Sequence, residues 1–317
     1  MTNALPAIFV ERLQHIIPTD KLAEVLASFS QPAMTVFRVN TLKATPLDVC
    51  EELRVVGLNP MPIDWQPLAF QVPEEQRRPL TETAAFYEGR LYVQNLSSQL
   101  APLILDPQPG ETILDLAAAP GGKTSQMAAM MQNQGILSAV EPVRDRFFRL
   151  KANLQQQGVT IARTYMTDGR SVGAKCPEMF DRVLLDAPCS SEARFDANDA
   201  DSVAHWSLQK VKEVSHKQKR LLSAAIHSLK PGGTLVYSTC SFAPEENERI
   251  VEAQLKSFGD AIAIQPIDLP IGNWQAGLPE WDGKVFHPDI QHCRRILPDA
   301  MMDGFFICKL IKRTNTC

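Results

Sequence analysis

The sequence predicts an α/β architecture, a parallel β-sheet flanked by helices with a small α+β domain in front of it. Three observations predict it. From residue 90 onward, short apolar runs alternate with longer helical stretches. Four of the runs carry an acid at or near their exit: Asp115, Glu141, Asp168 and Asp186. Two runs lead into a cysteine, Cys189 after "FDRVLLDAP" and Cys240 at the end of "GGTLVYSTC". Strands alternating with helices imply parallel pairing through right-handed crossovers, and such sheets bind ligands outside the carboxyl ends of their strands.

In chain order, the apolar spacing from Ala7 to Phe29 suits amphipathic helices, interrupted at Pro18 and restarting behind Thr19 as a cap. "TVFRVNT" (35–41) alternates like a strand, and "TPLDVCEELRVVG" (45–57) reads as a helix ending at Gly57. Residues 58–90 hold short strand-like pieces such as "LAFQV". We read 1–88 as the small α+β domain and 89–317 as a catalytic domain. In the latter, strands are expected at 111–120, 135–142, 162–169, 180–188 and 232–240, with helices at 122–133, 143–157 and 205–229 between them.

Composition excludes several classes. With 44% hydrophobic and 21% charged residues the chain reads as an ordinary soluble protein, and no run approaches the roughly 18 apolar residues of a membrane helix. The N-terminus lacks the basic-then-apolar layout of a signal peptide, so a cytoplasmic location is expected. Seven cysteines without a CxxC pair argue against a disulfide framework and a structural zinc site, and no metal is expected. A net charge of −4 is not that of a charge-driven nucleic-acid binder. Two stretches are nevertheless basic, "RDRFFRLK" (144–151) and "QKVKEVSHKQKR" (209–220). Each reads equally well as the solvated face of a helix.

"LDLAAAPGGKTSQ" (114–126) imitates a phosphate-binding loop through its Gly-Lys-Thr. That loop needs a glycine where Ala117 stands, and Pro120 removes one of the N–H donors that would cradle a phosphate. The stretch reads better as the first strand-to-helix turn of an S-adenosylmethionine site. Asp115 ends the strand, and Gly121-Gly122 open a helix whose free N–H groups suit a carboxylate. Glu141, at the exit of the second strand, is placed for ribose hydroxyls, and Asp168, ending the third, for the adenine amino group.

With these blocks in order, the chain resembles the Nop/Sun (Fmu) family of RNA cytosine-5 methyltransferases. The likeness rests on "LDLAAAPGGKT", "DAPCSS", "KPGGTLVYSTCSFAPEENE" and "RILPDAMMDGFFICKL", with "FRVNTLK" and "YVQNLSSQLAP" ahead of them, and covers most of 35–310. It implies a Rossmann-like, S-adenosylmethionine-dependent methyltransferase sheet. It makes Ala117, Ala118, Ala119, Pro120, Gly121, Gly122 and Lys123 the cofactor loop, and puts Glu141, Arg146, Asp168 and Asp186 around the cofactor or target base. It also implies that Cys240 is the nucleophile and Cys189 assists product release. The residues alone leave that order open, since DNA cytosine methyltransferases use the Pro-Cys thiol. Three departures stand out: Ala117 for the family's usual cysteine, Ser191 for its glycine, and "EARFDANDAD" (192–201) for a basic stretch.

The chemistry explains the residue types. Carbon 5 of cytosine is a weak nucleophile until a thiolate adds to carbon 6, and a protonated acid hydrogen-bonded to ring nitrogen 3, the place given to Asp186, assists that addition. The expected substrate is RNA, ribosomal or transfer, acted on by a monomer. Residues 144–151 and 209–220, with Arg38, Arg294 and Arg295, are the candidate phosphate contacts. The competing readings are a methyltransferase acting on DNA or protein, and a non-catalytic RNA-binding relative.

Overall fold

A computed structural model describes residues 5–31 and 34–316; Cys317 lies outside them. Two helices open the chain, α1 (Ala7–Ile16) and α2 (Thr19–Ser28), each directly behind a proline. Pro18 rather than Thr19 occupies the cap position, because its fixed φ suits a helix start and its missing N–H is not needed there. Phe9, Leu13, Ile16 and Val25 pack with Phe195, Phe242 and Leu297, so the two helices lean on the later part of the chain.

A four-stranded antiparallel sheet follows, built from β1 (Thr35–Val39), β2 (Met61–Ile63), β3 (Gln66–Val72) and β4 (Leu91–Val93) in the order β2-β3-β1-β4. Helix α3 (Pro46–Val55) starts at a capping box in which Thr45 and Asp48 satisfy each other's backbone N–H groups. Two short helices, α4 (Arg77–Thr81) and α5 (Ala84–Tyr87), lead into β4, and Phe37, Val39, Leu53, Val72 and Leu91 form the local core.

Next come α6 (Leu96–Leu105), β5 (Thr112–Asp115), α7 (Gly122–Met130), β6 (Ile136–Val140), α8 (Arg144–Gln156) and β7 (Ala162–Tyr165). The chain continues through α9 (Val172–Lys175), β8 (Phe180–Asp186), α10 (Leu208–Ser228), β9 (Leu229–Thr239) and α11 (Glu248–Phe258). All five expected strands and the three expected helices are present, most of them shorter than predicted. The strands pair in parallel in the order β9-β8-β5-β6-β7, so the direction of winding reverses between β5 and β8.

The sheet is mixed rather than wholly parallel. The C-terminal segment adds β10 (Ile262–Gln265), β11 (Trp274–Ala276), a small β12 (Glu280–Trp281) and β13 (Lys284–Val285) ribbon, β14 (Arg294–Ile296) and β15 (Phe305–Lys312). β15 pairs antiparallel with β9 and extends the large sheet to nine strands. Its run "FFICKLIK" is almost wholly buried, so it shows none of the apolar-polar alternation by which a half-exposed strand is recognised.

Side chains of the central strands alternate between two cores, as a period of two requires. Leu114, Val183, Leu185, Leu235 and Tyr237 face α10 residues Leu222, Ala225 and Ile226. Ile113, Leu184 and Val236 face Leu100 of α6 and Met127 of α7. Gly233 permits the register shift at the start of the β8–β9 pairing, because a Cβ there would lie 2.8 Å from the carbonyl oxygen of Asp181.

One buried ion pair ties the antiparallel extension to the parallel half. Arg295 of β14 and Glu248 at the start of α11 are 3% and 0% exposed. Nε donates to one carboxylate oxygen at 2.6 Å and Nη2 to the other at 2.5 Å, while Nη1 donates to the Phe242 carbonyl at 2.9 Å. Breaking such a pair strands one charge. Glu248→Ala is therefore expected to destabilise the fold by about 3–5 kcal/mol, with Arg295→Met, Glu248→Leu together much nearer wild type. Urea denaturation of the three proteins checks this, and a single mutant as stable as wild type would contradict it.

Candidate active site

Four acids predicted at strand exits fall along the carboxyl edge of the large sheet. Asp115 ends β5, is 1% exposed, and accepts a hydrogen bond from Thr124 Oγ1 at 2.7 Å. Burial pushes its carboxyl up to about 6, against the opposing effects of that bond and of the Lys123 charge. Past it, residues 117–121 form the turn. Gly121 takes a φ of 111°, open to glycine but rarely to other residues, and no side chain caps the helix α7 that it begins. The first N–H groups of α7 are thus left for a ligand. Helix α8 holds the turn from outside, with Arg146 Nη2 donating to the Ala119 carbonyl at 2.9 Å and Asn153 Nδ2 to that of Pro120 at 2.8 Å.

Glu141 lies just past β6, 2% exposed; one oxygen accepts from the Val143 N–H at 2.9 Å and the other lies 3.6 Å from Arg146. Asp168 behaves differently. It stands three residues beyond β7, is half-buried, and is held by Arg170 through Nε at 3.0 and 2.9 Å and through the backbone N–H at 2.9 Å. The Arg170 hydrogen bonds pull its carboxyl down to about 2.

Asp186 ends β8 beside β5 and receives two donors, Lys123 Nζ on one oxygen at 2.7 Å and Ser238 Oγ on the other at 2.8 Å. Lys123 also donates to Ser98 Oγ at 2.6 Å and sits 5.6 Å from the centre of the Phe305 ring. The lysine that imitates a phosphate-loop residue in the sequence is therefore bound to the acid of the Asp-Ala-Pro-Cys motif.

The two cysteines meet. Cys189 and Cys240 are half-buried, with their sulfurs 3.2 Å apart. The hydrogen bond between the two sulfurs, and then the nearby Arg194 guanidinium, hold the Cys240 thiol below its ordinary value against burial. The same bond, with burial, pushes Cys189 well up. Of the two thiols, Cys240 is thus the readier to ionise. Ser191, where a glycine was expected, adopts a left-handed φ of 60°, and its hydroxyl lies 3.9 Å from Cys189 and 3.8 Å from Cys240 sulfur.

Beneath the thiols is a polar layer not foreseen from the sequence. Glu246 accepts from the Ser190 N–H at 2.9 Å, from the Ser190 hydroxyl, from Ser241 Oγ at 2.8 Å and from Gln218 Nε2 at 2.8 Å. Burial, then the neighbouring Glu192, push it up to about 7. Glu192 accepts from the N–H groups of Phe242 and Ala243, both at 2.8 Å, and from Trp206 Nε1 at 2.9 Å. The loop 192–201, singled out for departing from the family pattern, thus begins with a buried strut. Its Arg194 acts on the thiols, and its neighbour Ala193 donates to the Cys240 carbonyl at 3.1 Å.

Two predicted phosphate contacts are corrected. Arg38 is 2% exposed and donates to Gln94 at 3.3 Å and Ser125 at 3.1 Å, and Arg295 is enclosed in its pair with Glu248. Arg294 is half-buried, with its guanidinium 4.3 Å over the Trp274 ring. Single-sequence charge counts cannot separate such arginines from solvated ones. Among the described residues, no helix is long and apolar enough to cross a membrane, and no group of three or more His, Cys, Asp or Glu side chains could hold a metal ion.

Comparison with known proteins agrees with this geometry. Residues 102–311 match the family described as 16S rRNA methyltransferase RsmB/F, and 5–96 match the N-terminal domain of 16S rRNA methyltransferase RsmF. Ribosomal RNA small subunit methyltransferase F of Vibrio campbellii is 35% identical over 314 residues, 98% of this chain and 64% of that protein. Its counterpart in Cronobacter sakazakii is 35% identical over 316 residues, again 98% of this chain and 64% of the relative. The chain thus spans less than two thirds of the curated relatives' length. Among solved structures, a methyltransferase homolog protein from Pyrococcus horikoshii is 31% identical with a TM-score of 0.79, covering 97% of this chain and all of that one.

The placement of Arg194 has a measurable consequence. Removing its cation takes away the one neighbouring charge that favours the Cys240 thiolate, leaving the hydrogen bonds of Cys189 and Ser191. Arg194→Gln is expected to move the midpoint of Cys240 alkylation by iodoacetamide to higher pH, read peptide by peptide by mass spectrometry. An unmoved midpoint would leave the Cys189 and Ser191 hydrogen bonds as the activating contacts.

Proposed function

Because this chain belongs to the 16S rRNA methyltransferase RsmB/F family, we propose that it transfers a methyl group from S-adenosylmethionine to carbon 5 of a cytosine in ribosomal RNA. The observation that carries this reading is the Cys189–Cys240 pair, 3.2 Å apart, at the same strand edge as the Lys123–Asp186 pair. A methyltransferase acting on oxygen or nitrogen has no use for a thiolate there; cytosine carbon 5 does.

The residues present fit the cofactor. The uncapped N-terminus of α7 suits the methionine carboxylate, the turn 117–123 brings backbone close to the ligand, and Glu141 offers a buried carboxylate for ribose hydroxyls. Arg146 braces both the turn and Glu141, while Asp168 with Arg170 lies toward the adenine side. When bound, S-adenosylmethionine supplies the methyl group as an electrophile.

The chain's own groups prepare the base. Cys240 attacks carbon 6 as a thiolate, forming a sulfur–carbon bond and sending electron density into the ring. The Lys123–Asp186 pair, at the same sheet edge, is there to hydrogen-bond nitrogen 3 as that density builds. Once the methyl group is on carbon 5, solvent water takes up the carbon-5 proton, the carbon-5–carbon-6 double bond re-forms, and the sulfur–carbon bond breaks with Cys240 leaving as a thiolate. The Cys189 S–H, bonded to that same sulfur in the free chain, stabilises the departing charge. The cytosine must be unstacked for carbon 6 to be reached.

RNA contacts are assigned to α10. Lys212 and Lys219, one heptad apart, line a groove of about 630 Å³ with Arg12, His216, Arg249 and Lys284. Arg12 is bound to Glu245 and Arg249 to Asp282. Residues 1–88, with seven basic against ten acidic residues over 1–85, position RNA by shape rather than by charge, and the chain acts as a monomer.

Two experiments test this. Cys240→Ala is expected to abolish methylation while cofactor binding stays near wild type. Cys189→Ala loses a hydrogen bond to a charged leaving group, worth about 1.5–3 kcal/mol, so release slows roughly ten- to over a hundredfold and a covalent protein–RNA adduct accumulates on a denaturing gel. Trapping by Cys240→Ala instead would reverse the roles, and two fully active single mutants would end thiol catalysis as an explanation. Lys212→Gln with Lys219→Gln is expected to flatten the salt dependence of RNA binding by up to about 1.4–1.8 units of slope. An unchanged slope returns α10 to a solvated face.

A further inference from the structure

The sulfurs of Cys189 and Cys240 are held together more firmly than a single catalytic thiol requires. β8 and β9 run side by side with Asp186 opposite Ser238, and the Ala187 N–H donates to the Ser238 carbonyl at 2.8 Å, so both strand exits emerge together. Beyond them, Glu246 anchors Ser190, Glu192 anchors Phe242 and Ala243, and the Ala193 N–H anchors the Cys240 carbonyl. The sulfurs at 3.2 Å need to approach by only about 1.2 Å to reach the roughly 2.05 Å of a disulfide. Both residues are half-buried, as is Cys176, whereas Cys50, Cys293 and Cys308 are buried.

We propose that Cys189 and Cys240 form a redox site, in which a hydroperoxide joins them into a disulfide that silences the nucleophile until a thiol reductant reopens it. The Cys240 thiolate attacks the terminal peroxide oxygen; a sulfur–oxygen bond forms, the oxygen–oxygen bond breaks, and the departing oxygen takes up a proton to leave as water or alcohol. Cys189 then attacks the sulfur of the resulting sulfenic acid, giving up its proton, and the hydroxyl leaves as water. Two thiols are oxidised by two electrons and one peroxide is reduced. The hydrogen bond that favours the Cys240 thiolate in catalysis also makes it the first to react, and a resolving thiol within contact outruns oxidation to the irreversible sulfinic acid. The sulfur chemistry is independent of the nucleic-acid substrate; only its effect on turnover rests on the proposed function.

The test uses the full reduced chain, hydrogen peroxide near stoichiometric amounts, a block with N-ethylmaleimide, and peptide mass spectrometry. The expected product is a crosslink between the peptides bearing Cys189 and Cys240, two hydrogens lighter, that dithiothreitol reverses together with the loss of RNA methylation. In Cys189→Ser, Cys240 should instead accumulate as a sulfenic acid captured by dimedone. A crosslink in a chain that never methylates RNA supports the redox site and counts against the methyltransferase reading. Cys189 and Cys240 each alkylated separately after peroxide, or Cys240 driven to sulfinic acid without a crosslink in the wild type, overturns the proposal.

Discussion

The parallel pairing of β8 with β9 is the constraint on which the site depends. Neighbouring strands lie about 4.8 Å apart, and the register that sets Asp186 opposite Ser238 brings both strand exits to the same height. From that single alignment follow the Ser238 bond to Asp186, the place of Lys123 and the meeting of two thiols separated by 51 residues. A slip of one residue would turn every side chain of one strand to the opposite face. Leu235 and Tyr237, buried against α10, resist such a slip because they would exchange places with their neighbours.

Past the strand exits the chain leaves the ladder, and its backbone N–H groups need other acceptors. Here the acceptors are carboxylates. Glu192 takes the N–H groups of 242 and 243, Glu246 takes that of 190, and so each cysteine loop is held through a side chain belonging to the opposite one or to the segment beyond. Burying two acids together has a cost, visible in the Glu246 carboxyl pushed up to about 7. In return the two thiols are held in one geometry by buried groups outside the sheet ladder, which is how side chains are kept within sub-ångström tolerance.

The same layer accounts for the departures from the family pattern. Ser191 accepts a left-handed conformation that suits glycine, and its hydroxyl reaches both sulfurs. The loop that lacks the usual basic stretch supplies Arg194 beside the thiols. The surroundings of the reactive pair are therefore this chain's own, while the pair itself is common to the family resemblance. Ala117 is a simpler case: it lies half-buried beside the sheet core, and nothing in the structure makes its methyl group a functional contact.

The parallel strands were legible because four of the five short runs carry an acid at or near their exit and helices of clear period bound them. The turn after β5 was legible because Pro120 fixes the backbone locally and Gly121 and Gly122 let it bend into a helix start. Cys189 and Cys240 could be named as a pair because both lie at strand exits on one sheet edge. The antiparallel tail was not, since a strand buried on both faces has no alternation to read. Nor could the sequence separate Arg38 and Arg295 from solvated arginines, find Glu192 and Glu246 under the site, or say which thiol gives up its proton. Those are matters of burial and distance between residues far apart in the chain, and a charge or a pKa is set by what surrounds a group in space. The sequence by itself determined which groups the chain brings to the sheet edge; the tertiary structure decided which of them touch, and contact is what sets the Cys240 thiol below that of Cys189.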